Sequence, residues 1–356
     1  MEGDHINIRH WLLPLSWLYG AGVWVRNALF DCGLLPSETF DIPIINVGNI
    51  TVGGTGKTPH VEYLIRMLSQ DRKVAVLSRG YKRKSKGYVL AQENTPVQMI
   101  GDEPWQIKHK FPHVHVAVDA NRRRGIKRLM TDEATRDVQV ILLDDAYQHR
   151  YVKPSCNILL IDYHRLATED QLLPAGQLRE GVEAISRANI VVVTKCPPAM
   201  TPMSYRILHS ALNLRPFQQL YFSTFKYDKA HQLFGENTLS MSVLRSEDAH
   251  VLLLTGIGNP RQMEQDIRAF AQHVTPCVFS DHHDFTPTDI LRINERFNQL
   301  PKPRIIITTE KDATRLVHQD ALSAEVREAL YVLPVEVQIL RDNTESLTEQ
   351  IQNYVH

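Results

Sequence analysis

Residues 42–59 read IPIINVGNITVGGTGKTP. The apolar, β-branched run Ile42–Val47 predicts a buried strand, and the apolar spacing of Val61, Leu64, Ile65 and Leu68 predicts a helix just beyond the glycines. Between them, Gly53, Gly54 and Gly56 allow the backbone N–H groups of a loop spanning Thr51, Val52, Gly53, Gly54, Thr55 and Gly56 to turn inward around phosphate. Lys57 adds a point charge for the phosphates, and Thr58 a hydroxyl for Mg²⁺. A glycine-rich turn without a phosphate function has no need of strand, lysine, threonine and helix in this register. The usual spacing of the motif places a glycine at Thr51, so the match is to a GGTGKT variant.

Working outward, Val138–Leu143 is a second apolar run and ends in Asp144 and Asp145. A buried strand with acidic residues at its end places a carboxylate beside phosphate-bound Mg²⁺. Successive residues of a strand point to opposite faces, so one aspartate serves the metal while the other orients the loop Ala146–His149. A solvated strand-end turn is the competing reading. Asn189–Lys195 is a third such run, and Pro197 stands where a guanine-reading strand end carries aspartate, which leaves ATP as the expected nucleotide.

Further strands are expected at Lys73–Leu77, His115–Val118, Asn157–Ile161, Ile190–Val193 and Leu220–Phe225, then at Val251–Leu254, Pro276–Phe279, Arg304–Ile307 and Leu330–Val335. Helices are expected at Tyr205–Leu212, Pro260–Gln272, Thr288–Asn298 and Thr344–Val355. Alternation of this kind describes a P-loop NTPase-like α/β fold, with a mainly parallel sheet flanked by helices. The 356 residues suffice for two lobes. The expected division is an N-terminal helix region at 1–38, a P-loop lobe at 39–215 and a second α/β lobe at 216–356.

Acidic and basic residues balance at 40 each, so no global field marks a nucleic-acid binder. Cys32, Cys156, Cys196 and Cys277 lie far apart with no CxxC pair, which points to neither a zinc site nor a disulfide framework. From Trp11 to Val25 no residue is charged, but the run is shorter than the roughly 20 residues a bilayer span needs. The leader carries Glu2 and Asp4 against Arg9 and lacks the positive start of an export signal. Trp11–Leu29 therefore reads as a helix lying in a membrane interface, or as one buried against the core. Arg122–Arg124 with Lys127 and Arg128 reads either as an exposed basic helix face or as a contact for phosphate or anionic lipid.

The segments GNITVGGTGKTP, SRGYKR, GDEP, DDAYQHR, LLPAGQLRE, TGIGNP, SDHHDF and TTEKDATRL occur in this order between Gly48 and Leu316. In that order and spacing the chain resembles the tetraacyldisaccharide 4'-kinase family. The resemblance implies transfer of phosphate from ATP, with Mg²⁺, to the 4'-hydroxyl of a tetraacylated glucosamine disaccharide 1-phosphate, the lipid A precursor. It implies a monotopic enzyme on the cytoplasmic face of the bacterial inner membrane, with its active site between two lobes and with neither a nucleic-acid nor a protein partner. By the same resemblance Asp102 is the catalytic base and His282 its partner, with His283 an adjacent alternative. Glu103 joins Thr58, Asp144 and Asp145 around the metal, and Arg122, His149, Arg179 and Glu180 are further polar positions near the phosphates. The family's Asp-Asp-Gly-Phe-Gln-His has Ala146 in place of its glycine here, which argues against a positive φ at that position.

The loop GGTGKT also resembles that of partitioning and carrier ATPases. Val52 stands where that class has an extra lysine, and the class has no evident use for GDEP or DHH. A kinase of a soluble metabolite, with Trp11–Leu29 buried, is the other alternative.

Overall fold

The computed structural model describes residue 6 and residues 8–227 and 229–355. Its strands are β1 (Ile44–Gly48), β2 (Val74–Ser78), β3 (Val89–Leu90), β4 (His115–Val118), β5 (Val140–Asp144), β6 (Cys156–Asp162), β7 (Ile190–Thr194) and β8 (Gln219–Lys226). They continue with β9 (Lys229–Gln232), β10 (Thr238–Ser240), β11 (His250–Thr255), β12 (His273–Val278), β13 (Arg304–Thr309), β14 (Leu330–Leu333) and β15 (Glu336–Ile339). Two compact units result: residues 1–225 with 337–356, and residues 226–336.

The first unit holds a nine-stranded sheet in the order β15-β8-β7-β6-β1-β5-β2-β4-β3. From β8 through β4 neighbouring strands are parallel, and β3 closes the edge antiparallel to β4. β1, β2, β5 and β7 are buried along their whole length, which explains their unbroken apolar runs: helices cover both faces. Helix α1 spans Leu13–Asp31, α2 Lys57–Leu68, α3 Val97–Ile100, α4 Asp102–Lys110 and α5 Arg122–Thr131. α2 packs Val61, Leu64, Ile65 and Leu68 on the side chains of Ile45, Val47, Val76 and Leu142. α5 packs Ile126 and Leu129 on the alternate residues Ile44, Ala75, Leu77, Ile141 and Leu143, on the opposite face. Chain order reverses direction on either side of β1, whose neighbours are β5 and β6, so the carboxyl end of β1 is the switch point where ligands of such sheets bind.

The second unit has a six-stranded sheet in the order β10-β9-β14-β13-β11-β12. β14, β13, β11 and β12 run parallel, and the β9–β10 hairpin pairs antiparallel to β14.

The expected boundary at residue 216 is corrected by the sheet. β8 extends the first sheet beside β7, β15 flanks β8, and the helix Thr344–Gln352 covers the same core through Leu347 and Ile351. Residues 337–355 thus close the first unit, as a short strand and a helix whose apolar residues join its core. Strands β3, β9, β10 and β15 were not expected, since each has only two to four residues and no sustained apolar pattern.

α1 exposes one face and packs the other. Trp11, Trp17, Leu18 and Trp24 are each at least 70% exposed. Leu12, Ser16 and Phe30 are buried, and Gly20 lies so close to Leu172 that a built Cβ meets its Cδ1 at 2.7 Å. No helix among the described residues is long and apolar enough to cross a membrane. The reading of Trp11–Leu29 as simply buried therefore fails on the tryptophan face.

Ile351 is fully buried where the chain's last helix seals the first unit. Ile351→Ala should destabilise the protein by about 2–5 kcal/mol, the cost of a cavity at a site with little room to relax. Urea unfolding followed by tryptophan fluorescence checks this, and an unchanged midpoint would mean that the C-terminal helix does not close the core.

Candidate active site

At the end of β1 the chain takes the glycine-rich loop into α2. Gly53 and Gly56 have φ of +118° and +83°, and Gly56 forms the N-terminal boundary of the helix that begins at Lys57. The first turn of α2 therefore presents unsatisfied N–H groups and the positive end of the helix dipole to the loop. Thr55 is buried: its hydroxyl accepts from Asn49 Nδ2 at 2.9 Å and its carbonyl accepts from Thr194 Oγ1 at 2.9 Å. On the loop's other side, Val52 N donates to Gln177 O and Arg179 N to Ile50 O, each at 2.7 Å. The LLPAGQLRE segment thus runs alongside the loop as a short antiparallel companion.

His60 was missed by sequence reasoning because it reads as one more polar residue of a helix. It is buried, with Nδ1 2.7 Å from Gly56 O and Nε2 2.9 Å from Ser223 Oγ on β8. Burial holds its pKa down to about 4. The ring is neutral, so Nδ1–H donates to the carbonyl of the loop's last glycine and Nε2 accepts from the serine.

The acidic pair ends β5. Asp144 is buried, and its Oδ2 accepts from Ser78 Oγ at 3.3 Å. Burial, with Asp145 and Glu103 as like charges nearby, pushes its pKa up to about 7. Asp145 turns the other way, with φ +51°, toward Lys57 Nζ at 3.8 Å and Arg179 Nη1 at 3.2 Å. Burial raises its pKa, but Lys57 and Arg179 outweigh that and hold it below the usual carboxylate range. The left-handed residue is thus Asp145, whereas Ala146 has no positive φ. Gly48 has no side chain for a steric reason, because a Cβ there would stand 2.7 Å from Tyr147 Cβ.

α5 presents Arg122 inward, and the side chain is buried. Its guanidinium donates to Asp119 O at 3.2 Å and to the carbonyls of Asp144 and Asp145, each at 3.4 Å. Burial lowers its pKa to about 10, so it remains a cation at neutral pH behind the acidic pair. His149 stands nearby, its pKa lowered to about 4 by burial and by Arg122, Arg123, Arg26 and Arg79. Its Nε2 is buried and has no partner among the described residues. Glu180 accepts from Arg187 at 2.5 Å and from Asn27 of α1 at 3.4 Å. Asp102 and Glu103 open α4 behind Gly101, whose φ is +92°, so Asp102 is the first residue of the helix rather than its cap.

In the second unit the two adjacent histidines have different surroundings. His283 Nε2 is 2.8 Å from Asp289, and its ring stacks on Phe279 with centroids 4.8 Å apart. It belongs to that unit's fold. His282, at φ +57°, has Nε2 2.9 Å from Lys311 Nζ of the TTEKDATRL segment, and Lys311 is 2.9 Å from Asp281.

The residues around the β1 loop fit Mg²⁺ bound with phosphate. Among the described residues no group of three or more His, Cys, Asp or Glu side chains could hold a metal by itself. Mg²⁺ in phosphoryl-transfer sites needs only one or two protein oxygens beside the phosphates. Asp144 with Glu103 and Asp145 near it is an acidic cluster whose mutual repulsion a divalent cation relieves, and the hydroxyl of Thr58 lies in the first turn of α2.

Comparison with known proteins identifies the family. The sequence model of one family, LpxK, tetraacyldisaccharide-1-P 4'-kinase, matches residues 8–356. The tetraacyldisaccharide 4'-kinase of Phocaeicola vulgatus is 54% identical over 100% of this chain and 97% of its own length. That of Bacteroides fragilis is 49% identical over 100% of this chain and 95% of its own. The crystal structure of Aquifex aeolicus LpxK in complex with ATP superposes with a TM-score of 0.73 at 29% identity, covering 98% of this chain and 99% of that one.

The raised pKa of Asp144 makes a signed prediction for the metal-free protein. The folded-state value of about 7 exceeds the ordinary carboxylate value of 3.8, so ionising Asp144 costs folding stability. That cost is absent below pH 4, grows as pH rises toward 7 and is complete above it. Asp144→Asn should therefore be more stable than the parent at pH 8, on the order of 4 kcal/mol, and the gain should vanish near pH 4. Thermal melts in EDTA across this range check it, and a pH-independent difference would refute the cost of ionising Asp144 in the folded protein.

Proposed function

This chain belongs to the tetraacyldisaccharide 4'-kinase family, and from that premise we propose that it transfers the γ-phosphate of ATP to the 4'-hydroxyl of a tetraacylated disaccharide 1-phosphate in lipid A biosynthesis. The observation that carries this reading is the match of one family model to residues 8–356. The site's chemistry supports it. The β1 loop supplies backbone donors and Lys57 for the phosphates, with Thr51, Val52, Gly53, Gly54, Thr55 and Gly56 forming the cradle and Thr58 at the head of α2. Mg²⁺, when bound, neutralises charge on the β- and γ-phosphates, and Thr58, Asp144, Asp145 and Glu103 are the side chains assigned to it.

Asp102 is assigned as the base. It accepts the proton of the 4'-hydroxyl while that oxygen bonds to the γ-phosphorus and the bond to the β-phosphate oxygen breaks, leaving ADP. His282 is assigned as the second residue of the proton transfer, in preference to His283, which is occupied by Asp289 and Phe279. Arg122, His149 and Arg179 are assigned to the surroundings of the transferred group, and Glu180 to support of Arg187 and α1. The exposed Trp11, just before α1, and the Trp17, Leu18 and Trp24 face of α1 are assigned to the cytoplasmic surface of the inner membrane, where the acyl chains of the substrate are buried.

Incubation with labelled ATP, Mg²⁺ and a tetraacyldisaccharide 1-phosphate should move label into the lipid. Lys57→Ala should abolish transfer without unfolding the chain. In the same assay Asp102→Ala and His282→Ala should each lower kcat by roughly 10²–10⁴-fold, with little further loss in the double variant. Losses that multiply would show that the two residues act separately, and a collapse of ATP affinity in Asp102→Ala would make that residue a metal ligand.

A further inference from the structure

α5 presents different basic residues on two faces. Arg122 points inward, whereas Arg123, Arg124, Lys127 and Arg128 line an open concavity of about 500 Å³ with Glu38, Asn121 and Thr131. Two of the four cations are matched by carboxylates: Arg124 with Asp119 at 2.7 Å and Lys127 with Glu38 at 2.6 Å. Among the described residues neither Arg123 nor Arg128 has a carboxylate within 4.0 Å. The loop between β2 and β3 approaches this face at Gly87, where a Cβ would lie 3.7 Å from Arg124 Nη2. In a chain whose formal net charge is zero, this is a local concentration of positive charge rather than part of a general field.

Its position matters more than its size. Arg123 lies over the ring of Tyr151 at 5.2 Å, and Tyr151 meets Phe30 of α1 edge-on at 4.9 Å. Glu38, in the segment that leaves α1, pairs with Lys127 and runs beside Val152. The basic concavity therefore adjoins the C-terminal end of the helix whose opposite face exposes Trp17, Leu18 and Trp24. An apolar helix face that ends beside unneutralised arginines has the chemistry of an interfacial segment meeting an anionic leaflet.

We propose that the outer face of α5, with Arg123, Lys127 and Arg128 at its centre, binds the headgroups of anionic phospholipids and so makes a second, electrostatic membrane contact beside α1. This rests on the reading of α1 as an interfacial helix and adds a lipid-charge requirement that α1 alone does not impose. Apolar insertion is nearly indifferent to headgroup charge, whereas a basic patch gains several-fold in affinity per cation on an anionic surface and loses that gain in salt.

The test uses the full chain and sedimentation with vesicles of phosphatidylcholine alone or with phosphatidylglycerol. The parent should bind the anionic vesicles more tightly, with the excess lost in 0.5 M salt, about three times the ordinary physiological ionic strength. The triple variant Arg123→Gln, Lys127→Gln, Arg128→Gln should lose about 10²-fold in affinity for the anionic vesicles. It should keep its binding to neutral ones and its turnover of substrate dispersed in a neutral detergent. Arg123→Lys with Arg128→Lys keeps the charge and should bind as the parent does, which separates loss of charge from damage to the fold. Unchanged anionic-vesicle binding by the triple variant overturns the proposal. Lost turnover in neutral detergent, with folding intact, also overturns it, by assigning the patch to the substrate's own phosphate. The α1 reading fails on a different result: Trp17→Ser with Trp24→Ser leaving neutral-vesicle binding untouched.

Discussion

Two adjacent carboxylates at the end of one buried strand repel each other, and much of the first unit is arranged to hold both. Asp144 stays on the strand's path, where burial and its neighbours push its pKa up to about 7. Asp145 is turned away by a left-handed backbone and answered by Lys57 and Arg179. Such a conformation costs a non-glycine residue on the order of 1 kcal/mol or more, which the two cations offset. Arg122 serves the pair from behind, through carbonyls rather than carboxylates, so it supplies positive charge without occupying the oxygens that face the loop.

The same constraint links the site to the N-terminal helix. Arg179 reaches Asp145 because its own segment is paired to the β1 loop through Val52, Gln177 and Ile50. That segment in turn holds α1: Ser16 donates to Leu172 O and accepts from Ala175 N, each at 2.9 Å, and Tyr19 donates to Arg179 O at 2.8 Å. Asn27 and Arg187 meet at Glu180. A short ladder of polar contacts thus runs from the helix, through one loop, to the glycine-rich loop after β1. The packed face of α1 carries Ser16, Gly20 and Asn27 where an ordinary amphipathic helix carries leucines, and its tryptophans are left on the outer face.

Legibility in the sequence followed the range of the interactions concerned. The β1 loop was readable because strand, glycines, lysine, threonine and helix all lie between Ile44 and Leu68. The two sheets were readable because parallel strands covered on both faces are nearly continuous apolar runs. The boundary near residue 216 was misplaced because β8 and β15 are assigned by pairing between distant residues: Leu340 N donates to Phe222 O, more than a hundred positions away. His60 was invisible for the same reason, since its second partner, Ser223, is 163 positions distant. The alanine at 146 led to a correct exclusion of positive φ there, while giving no sign that Asp145 takes that conformation instead. Nothing in the pair His282–His283 distinguishes one ring from the other until Asp289 and Lys311 are brought beside them.

Helical geometry explains how α5 serves both the site and its surroundings. Consecutive helical residues are about 100° apart, so a run of three arginines cannot point one way. Arg122 falls on the side of the sheet's carboxyl end and is buried among carbonyls. Arg123 swings over Tyr151, and Arg124 folds back on Asp119, whose carboxylate also accepts from Asn121 N at 2.9 Å. Asp119 is held below the usual carboxylate range: burial raises it, but Arg124 and the backbone of Asn121 outweigh that. The Asp119–Arg124 pair therefore pins the start of α5, and with it Arg122, from the outside. A single basic run is in this way divided by the helix itself into one cation that completes the acidic site, one that anchors the helix, and others that face outward beside α1.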